Sequence, residues 1–187
     1  GLAALQKWAK MLTNTRHKQS WARTFEAGPR LYQALAGTTA QPGVFSWIMT
    51  WGAAPDGERG LYADFLDEAA VILKKPGLRE VAEQFRGSAG LWHALADTTL
   101  PDEHPALAEA KRLHLQRRQL FIDQGEAAAG ERRQLKARLD ALRAEAAKEF
   151  PLDDAQVTAL RERMAEGVLA IHDCEAKAIE ALQRVMG

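Results

Sequence analysis

The fold is decided by residues 59–73, which read Arg59-Gly60-Leu61-Tyr62-Ala63-Asp64-Phe65-Leu66-Asp67-Glu68-Ala69-Ala70-Val71-Ile72-Leu73. Apolar side chains at positions 62, 65, 66, 69, 72 and 73 have the spacing that places them on one face of an α-helix. Asp56 lies just before this segment and is a candidate N-cap, with Gly57 and Glu58 in the first turn. The segment therefore predicts an amphipathic helix that begins near Asp56 and follows a loop rich in glycine and proline.

The rest of the first half of the chain has the same helical periodicity, and a loop is predicted at residues 37–43. Gly87 and Gly90 interrupt the last helical segment. We interpret them as a sign of close packing near Trp92, because glycine is costly inside a helix unless space is short. No stretch alternates apolar and polar residues for long enough to predict a β-strand. The predicted helical segments outside residues 59–73 lie at residues 2–12, 20–35, 44–51 and 78–95. Gly28-Pro29 is expected to break the second of them, because Pro29 lacks the N–H that helix continuation requires.

The second half changes character after the boundary at Pro101 to Pro105. Residues 107–150 are rich in the best helix formers, and Gly125 and Gly130 bracket a weak point where this segment can kink or split. A last helix follows, with apolar residues repeating near every 3.5 positions. Asp153 and Gln156 fit the two side chains of a capping box at its start. Two long apolar seams joined by a tight turn are typical of an antiparallel hairpin.

The sequence therefore predicts an all-α fold. We expect an irregular helical bundle in residues 1–104, followed by a long antiparallel helical hairpin in residues 105–187. At 187 residues the two parts are expected to form one domain overall. Because the chain starts without Met and within a helical pattern, we expect a fragment or a processed product.

Composition and charge limit the possible partners. Lys plus Arg number 25 and Asp plus Glu number 25, so no overall field attracts nucleic acid or an anionic membrane. No apolar run approaches the roughly 18 residues that span a bilayer. The lone Cys174 excludes an internal disulfide framework and is typical of a reducing compartment, so we expect a cytoplasmic location. No nucleic-acid or membrane partner is predicted.

Catalytic and metal-binding patterns are missing from the sequence. None of the five histidines has Asp or Glu three residues before it, as a helical di-iron site requires. Cys174 lies mid-helix between Ile171 and Ala178, whereas a reactive thiolate needs an exposed, electropositive setting. No nucleophile elbow or phosphate-binding loop is present. We therefore predict no catalytic residue, no metal site and no cofactor in this chain.

Two features around the helix at 59–73 are candidates for a ligand site. Arg59 falls in the first helical turn, where the helix dipole disfavours a cation. Asp64 and Glu68 are like charges one turn apart, a mild penalty as well. Either these groups form structural ion pairs or are simply solvated, or they bind a polar and possibly cationic ligand beside Trp51 and Tyr62.

A second candidate is a basic stretch in an otherwise neutral chain. Lys111, Arg112, Arg117 and Arg118 lie within two turns of one predicted helix. A solvated helix face explains them most simply. The alternative is a docking surface for an acidic partner protein.

The order of several residues carries a family resemblance. Gly52 and Gly57 precede Arg59, residues 62–70 read Tyr-Ala-Asp-Phe-Leu-Asp-Glu-Ala-Ala, and residues 92–96 read Trp-His-Ala-Leu-Ala. This order resembles the helical C-terminal domain, of unknown function, in proteins similar to butirosin biosynthesis protein H. The family pattern is a Gly-rich loop, an Arg, a Tyr-Ala-x-Phe-Leu-x-Glu-Ala-Ala helix and a downstream Trp-x-x-Leu-Ala.

The resemblance covers roughly residues 1–125 and implies a particular parent protein. It implies an N-terminal domain that is similar to papain-like cysteine enzymes and holds the nucleophilic Cys and its His. The named member is an acyltransferase that moves an amino-acyl group from a carrier protein onto an aminoglycoside. This chain has no counterparts of those catalytic residues. Its loop also departs from the family pattern, with Ala53, Ala54 and Pro55 among the glycines.

These observations lead to two expectations about function. The first is a non-catalytic C-terminal domain that supports an acyltransferase-like or cysteine-peptidase-like N-terminal domain of the same polypeptide. Such a domain would contribute to binding of the substrate or of an acyl carrier protein. The alternative is an interaction module that forms a homodimer through the hairpin of residues 107–186.

Overall fold

The computed structural model of the protein describes residues 1–18, 20–38 and 41–187. This part of the chain is helical and contains no β-strand beyond one isolated bridge between Gly37 and Pro42. The predicted all-α fold is therefore confirmed. The helices are α1 (Leu2–Thr13), α2 (Trp21–Thr24), α3 (Pro29–Ala36), α4 (Val44–Met49), α5 (Arg59–Ile72), α6 (Gly77–Thr99), α7 (Pro105–Gln124), α8 (Ala129–Lys148) and α9 (Asp154–Met186), with 3₁₀ turns at Asp56–Glu58 and Gly125–Ala128.

The predicted loop at residues 37–43 lies partly outside this description. Thr39 and Ala40 are among the residues that the structure does not describe. In the described part, the Thr38 N–H donates to the Gln41 carbonyl at 2.6 Å, as in a tight turn. Across the described residues, none of the helices is both long and apolar enough to cross a bilayer.

The larger of two apolar cores joins both halves of the chain. Leu12, Leu35, Leu95, Leu107 and Leu160 are fully buried in it, on α1, α3, α6, α7 and α9 respectively. Leu139 and Leu142 of α8 belong to the same core. Burying a leucine side chain stabilises a fold by roughly 1.5–3 kcal/mol. The two segments separated by Pro101 to Pro105 therefore share one hydrophobic core.

A smaller core holds α5 in place. Ala63, Leu66 and Ala70 of α5 pack against apolar residues of α6, with Ala178 and Ala181 of α9 completing the cluster. Helices α6 and α9 are long enough to take part in both cores. Their close contact uses a glycine: a Cβ at Gly167 would lie 3.3 Å from Leu95. The α6–α9 pair is therefore the axis that links the two cores.

The start of α9 is formed as the sequence predicts. The Asp153 carboxylate accepts a hydrogen bond from the Gln156 N–H at 2.8 Å, and the Gln156 side chain accepts one from the Asp153 N–H at 2.9 Å. Leu152 and Val157 flank this capping box and are buried. The predicted helix start is confirmed, and the cap satisfies backbone donors that a helix N-terminus otherwise leaves unpaired.

The long segment of residues 107–150 splits at Gly125, which has a φ of +54°. Helices α7 and α8 therefore pack against each other as the arms of a short hairpin. The seam of α9 packs chiefly against α1 and α6, which differs from a hairpin spanning residues 107–186. Periodicity shows which face of a helix is apolar, but it does not show which helix covers that face.

The start of α5 also differs from the prediction. Asp56 lies in a 3₁₀ turn with a φ of +59°, and Glu58 has a φ of +64°. The helix begins only at Arg59, and no side chain caps it. The carboxylate of Asp56 instead pairs with the His93 ring at 2.9 Å. Asp56 as N-cap was wrong, because α6 supplies a partner that local sequence does not reveal.

The interpretation of Gly87 and Gly90 was also wrong. Both glycines are exposed on α6, and a Cβ at either position would meet no atom within 4 Å.

Since space is available at Gly87 and Gly90, each Gly→Ala substitution should raise the free energy of unfolding by about 1 kcal/mol. Chemical denaturation of each variant checks this. Gly167→Leu is the contrasting variant, expected to cost about 1–3 kcal/mol through overpacking against Leu95; equal effects at all three positions would contradict the packing described here.

Candidate functional site

The side chain of Arg59 forms hydrogen bonds with other groups of the protein. Its Nε donates to Glu175 Oε1 at 2.7 Å, and its Nη1 donates to the Gly57 carbonyl at 2.8 Å. The same Glu175 oxygen accepts hydrogen bonds from Trp92 Nε1 at 2.9 Å and Ser88 Oγ at 3.0 Å. Arg59 also stacks over the Trp92 ring at 5.3 Å. Of the two predicted alternatives for Arg59, the structure contains the structural ion pair, which ties the start of α5 to α6 and α9.

The environment of Glu175 keeps it ionised although it is buried. Burial by itself raises the pKa of this carboxyl group. The hydrogen bonds from Arg59, Trp92 and Ser88, with the charge of Arg59, outweigh that effect and lower the pKa below its ordinary value. A carboxylate with three donors satisfies the requirement that a buried charge be paired and hydrogen-bonded.

The other predicted ligand residues do not gather around Arg59. Asp64 forms an ion pair with Arg86 at 3.1 Å, and Tyr62 packs edge-on against Phe85 at 4.7 Å between ring centroids. Both contacts join α5 to α6. Trp51 follows α4, where it packs against another tryptophan and lines a separate cavity. Glu68 lies on the exposed side of α5.

Helix α5 differs from an ordinary amphipathic helix because several of its large apolar side chains are exposed to solvent. Leu61, Phe65 and Ile72 are 52%, 58% and 76% exposed, and Val71 and Leu73 beside them are exposed as well. The spacing of positions 61, 65 and 72 places these three side chains along one line of the helix. We call these five residues the α5 ridge. Exposed Glu68 lies on the same line between Phe65 and Ile72, so this apolar surface is divided by a charge. Exposed apolar patches rimmed by polar residues are typical of interaction sites in folded proteins.

The predicted basic docking stretch is used internally in the structure. Lys111 is buried and binds Asp97 at 3.1 Å and Asp102 at 3.0 Å. Arg118 donates to the carbonyl of Thr50 at 2.8 Å. Arg112 is exposed and bonds Gln116 on its own helix. Arg117, like Arg118, lines a cavity between α4, α7 and α8.

That cavity brings together residues from both predicted sites. It has a volume of about 330 Å³ and is lined by Trp51, His114, Arg117, Arg118 and Arg132, among others. No Asp or Glu is among the described residues that line it. We call it the arginine cavity. Sequence reasoning missed Arg132, because the run Glu131-Arg132-Arg133 reads as a solvated helix face.

His114 forms part of the wall of the arginine cavity. The imidazole is buried on α7, with its Nδ1 3.4 Å from Ser46 Oγ. Burial, and then the charge of Arg117, lower the pKa of His114 to about 4. The ring is therefore neutral near pH 7, and the positive charge of the cavity comes from its arginines.

Cys174 is placed in a poor environment for nucleophilic chemistry. Burial and the neighbouring Glu175 raise the pKa of its thiol, and its Sγ lies 3.6 Å from the Gln84 carbonyl. In residues 1–18, 20–38 and 41–187, no three His, Cys, Asp or Glu side chains are grouped so as to hold a metal ion.

Replacing Glu175 tests its structural role. Glu175→Gln should lower the free energy of unfolding by about 2 kcal/mol at pH 7, because a charge-assisted hydrogen bond is lost. The wild type has a lowered pKa at Glu175, so its advantage exists above the ordinary value of 4.5 and is lost as the pH falls through the folded pKa. Urea denaturation at several pH values measures the difference. Glu180→Gln, at an exposed site on the same helix, should change little.

His114 should make the protein sensitive to mild acid. Its pKa is 6.5 when unfolded and about 4 when folded, so between these values the unfolded chain binds a proton that the folded chain does not. Stability should therefore fall by about 3 kcal/mol from pH 6.5 to pH 4 through this group. The dependence should be reduced in His114→Gln. Parallel stability–pH curves for the wild type and the variant would contradict this assignment.

Comparison with known proteins identified no relative of this chain. No protein-family model, no curated protein and no solved structure matches the chain. The resemblance to proteins similar to butirosin biosynthesis protein H therefore stays a prediction from the sequence. What the chain does has to be argued from its surfaces and cavities.

Proposed function

We propose that this chain is a non-catalytic helical domain that docks onto a catalytic domain through the α5 ridge. The observation that carries the proposal is the exposure of Leu61, Phe65 and Ile72 along one line of a helix whose other face is well packed. Burying such side chains in an interface would gain roughly 25 cal/mol for each Å² removed from water. The sequence resemblance suggests the partner: an acyltransferase-like or cysteine-peptidase-like domain, N-terminal in the same polypeptide and cytoplasmic.

The α5 ridge is held rigidly, which favours docking. Ala63, Leu66 and Ala70 are buried beneath it, and Arg59 anchors the start of the helix to α9. At the other end, Lys75 Nζ donates to carbonyl oxygens at the end of α9, at 2.9 and 3.2 Å. Little conformational entropy is therefore lost when a partner covers the helix.

Charges beside the ridge indicate the chemistry of the partner. Asp64, Asp67 and Glu83 share the single guanidinium group of Arg86. Glu68 lies close to the line of the ridge and adds a further negative charge. A partner surface with apolar residues flanked by Lys or Arg complements this arrangement in shape and charge.

The same charges make a second copy of the chain a poorer partner. If two α5 helices packed antiparallel about a two-fold axis, Glu68 and Asp64 of each copy would face like charges of the other. The predicted homodimer through residues 107–186 is also disfavoured, since Val157, Leu160 and Met164 of the α9 seam are buried within the chain. An acyl carrier protein on the basic stretch would find Lys111 already paired with Asp97 and Asp102.

Site-specific photo-crosslinking in the native host tests this proposal. A photoreactive phenylalanine analogue at position 65 should form a covalent product with a protein or domain that carries catalytic Cys and His residues and a basic surface. Position 121 is the matched control, because Phe121 has the same 58% exposure as Phe65 but lies outside the ridge. Products would be identified by mass spectrometry.

The double variant Phe65→Ser with Ile72→Ser separates docking from folding. Both side chains are mostly exposed, so the free energy of unfolding should change by no more than about 0.5 kcal/mol each. With the catalytic domain produced as a separate chain, its copurification with the double variant should be lost. A crosslink only to a second copy of the chain, equal products from positions 65 and 121, or unrelated abundant proteins from both would contradict the proposal.

A further inference from the structure

We propose that the arginine cavity is a binding site for the phosphate group of a small phosphorylated ligand. This site is separate from the α5 ridge and does not depend on the docking proposal. It lies between the end of α4 and the facing sides of α7 and α8, with Arg117 and Arg118 on α7 and Arg132 on α8.

The first support is a guanidinium group that is held in place at the cavity. The Nε of Arg132 is shielded from solvent and has no acceptor among the described residues. A buried guanidinium N–H left unpaired costs roughly 1–3 kcal/mol, so such groups are normally satisfied. The Arg132 side chain is held over the Phe121 ring at 4.7 Å, which fixes the guanidinium plane in place at the cavity.

The second support is a pair of guanidinium groups at a cavity with no carboxylate among the described residues that line it, although Glu126 lines a neighbouring cleft with the same two arginines. Arg117 is half-buried, and its pKa is lowered by burial and by the charge of Arg132. Asp140, whose charge acts on Arg117, is already bound by Lys136 at 2.7 Å. Two guanidinium groups are therefore brought together at a cost, although the chain as a whole is neutral. An anion bound between them would remove that cost.

The arrangement favours phosphate over a carboxylate. A carboxylate compensates only one positive charge, whereas a phosphate ester near pH 7 compensates more than one and offers several oxygens to planar guanidinium donors. Arg118 is engaged with the backbone carbonyls of Thr50, Gly52 and Ala53, so it shapes the wall. At about 330 Å³ the cavity is within the range of small-molecule sites, and Trp51 at its edge offers an apolar surface for the organic part.

Binding of inorganic phosphate and pyrophosphate tests the proposal directly. Isothermal titration calorimetry at constant ionic strength should show saturable binding of both, with acetate bound at least about tenfold more weakly. Phosphate should also quench tryptophan fluorescence in the wild type and do so less in Trp51→Phe. Equal binding of acetate and phosphate, or no saturable binding of either phosphate, would overturn the proposal.

Charge variants place the bound anion in the cavity. Arg132→Gln should weaken phosphate binding about tenfold, and Arg132→Lys, which keeps the charge but loses the planar guanidinium group, should weaken it by less. In buffer without phosphate or sulfate, Arg132→Gln should have an equal or higher melting temperature, because repulsion with Arg117 is removed. Arg112→Gln makes the same charge change at an exposed site on α7 and should leave binding unchanged. Equal losses in Arg112→Gln and Arg132→Gln would show general charge screening and overturn the assigned site.

Discussion

The buried carboxylate of Glu175 is the interaction on which the arrangement of α5, α6 and α9 depends. It collects hydrogen bonds from Arg59 of α5 and from Ser88 and Trp92 of α6. Apolar contacts alone leave the rotation of one helix against another loosely defined, since Ala63, Leu66 and Ala70 are small or flexible side chains. A carboxylate that must satisfy three donors allows few rotations of α5. The orientation of the α5 ridge toward solvent follows from this constraint.

The α5 ridge exists because the helix carries more apolar residues than one packed face requires. Ala63, Leu66 and Ala70 form the face that α6 covers, whereas Leu61, Phe65 and Ile72 lie roughly opposite. A helix that is apolar on both sides is normally buried on both sides. Keeping one side in water gives no advantage to an isolated chain, and this supports the proposal that a partner docks on the ridge.

The sequence predicted the helices themselves well, because periodicity and capping are local. The capping box of Asp153 and Gln156 formed as expected, since both of its side chains act within one turn. The predicted apolar face of α5 at positions 62, 65, 66, 69, 72 and 73 was wrong as the buried face, because the structure buries Ala63, Leu66 and Ala70 and leaves Phe65 and Ile72 exposed. Small alanines pack closely against α6, and periodicity counted from large side chains does not reveal this. The role of Arg59 was left between two alternatives, and its partner Glu175 lies 116 residues away. The interpretation of Gly87 and Gly90 as a sign of close packing failed for a related reason. A glycine in a helix occurs both where neighbouring atoms leave no room for a Cβ and where the space is open.

The arginine cavity shows why a neutral net charge says little about local fields. The chain has 25 basic and 25 acidic residues, yet the two kinds of charge are not evenly distributed over the structure. Acidic groups are in excess around Arg86, where three carboxylates share one cation. Arg117 and Arg132 are brought together by the packing of α7 against α8, a contact made only because Gly125 reverses the chain between them. The hairpin therefore brings arginines of two positively charged helices to one cavity, and the basic stretch in the sequence indicates only the part of this site that lies on α7.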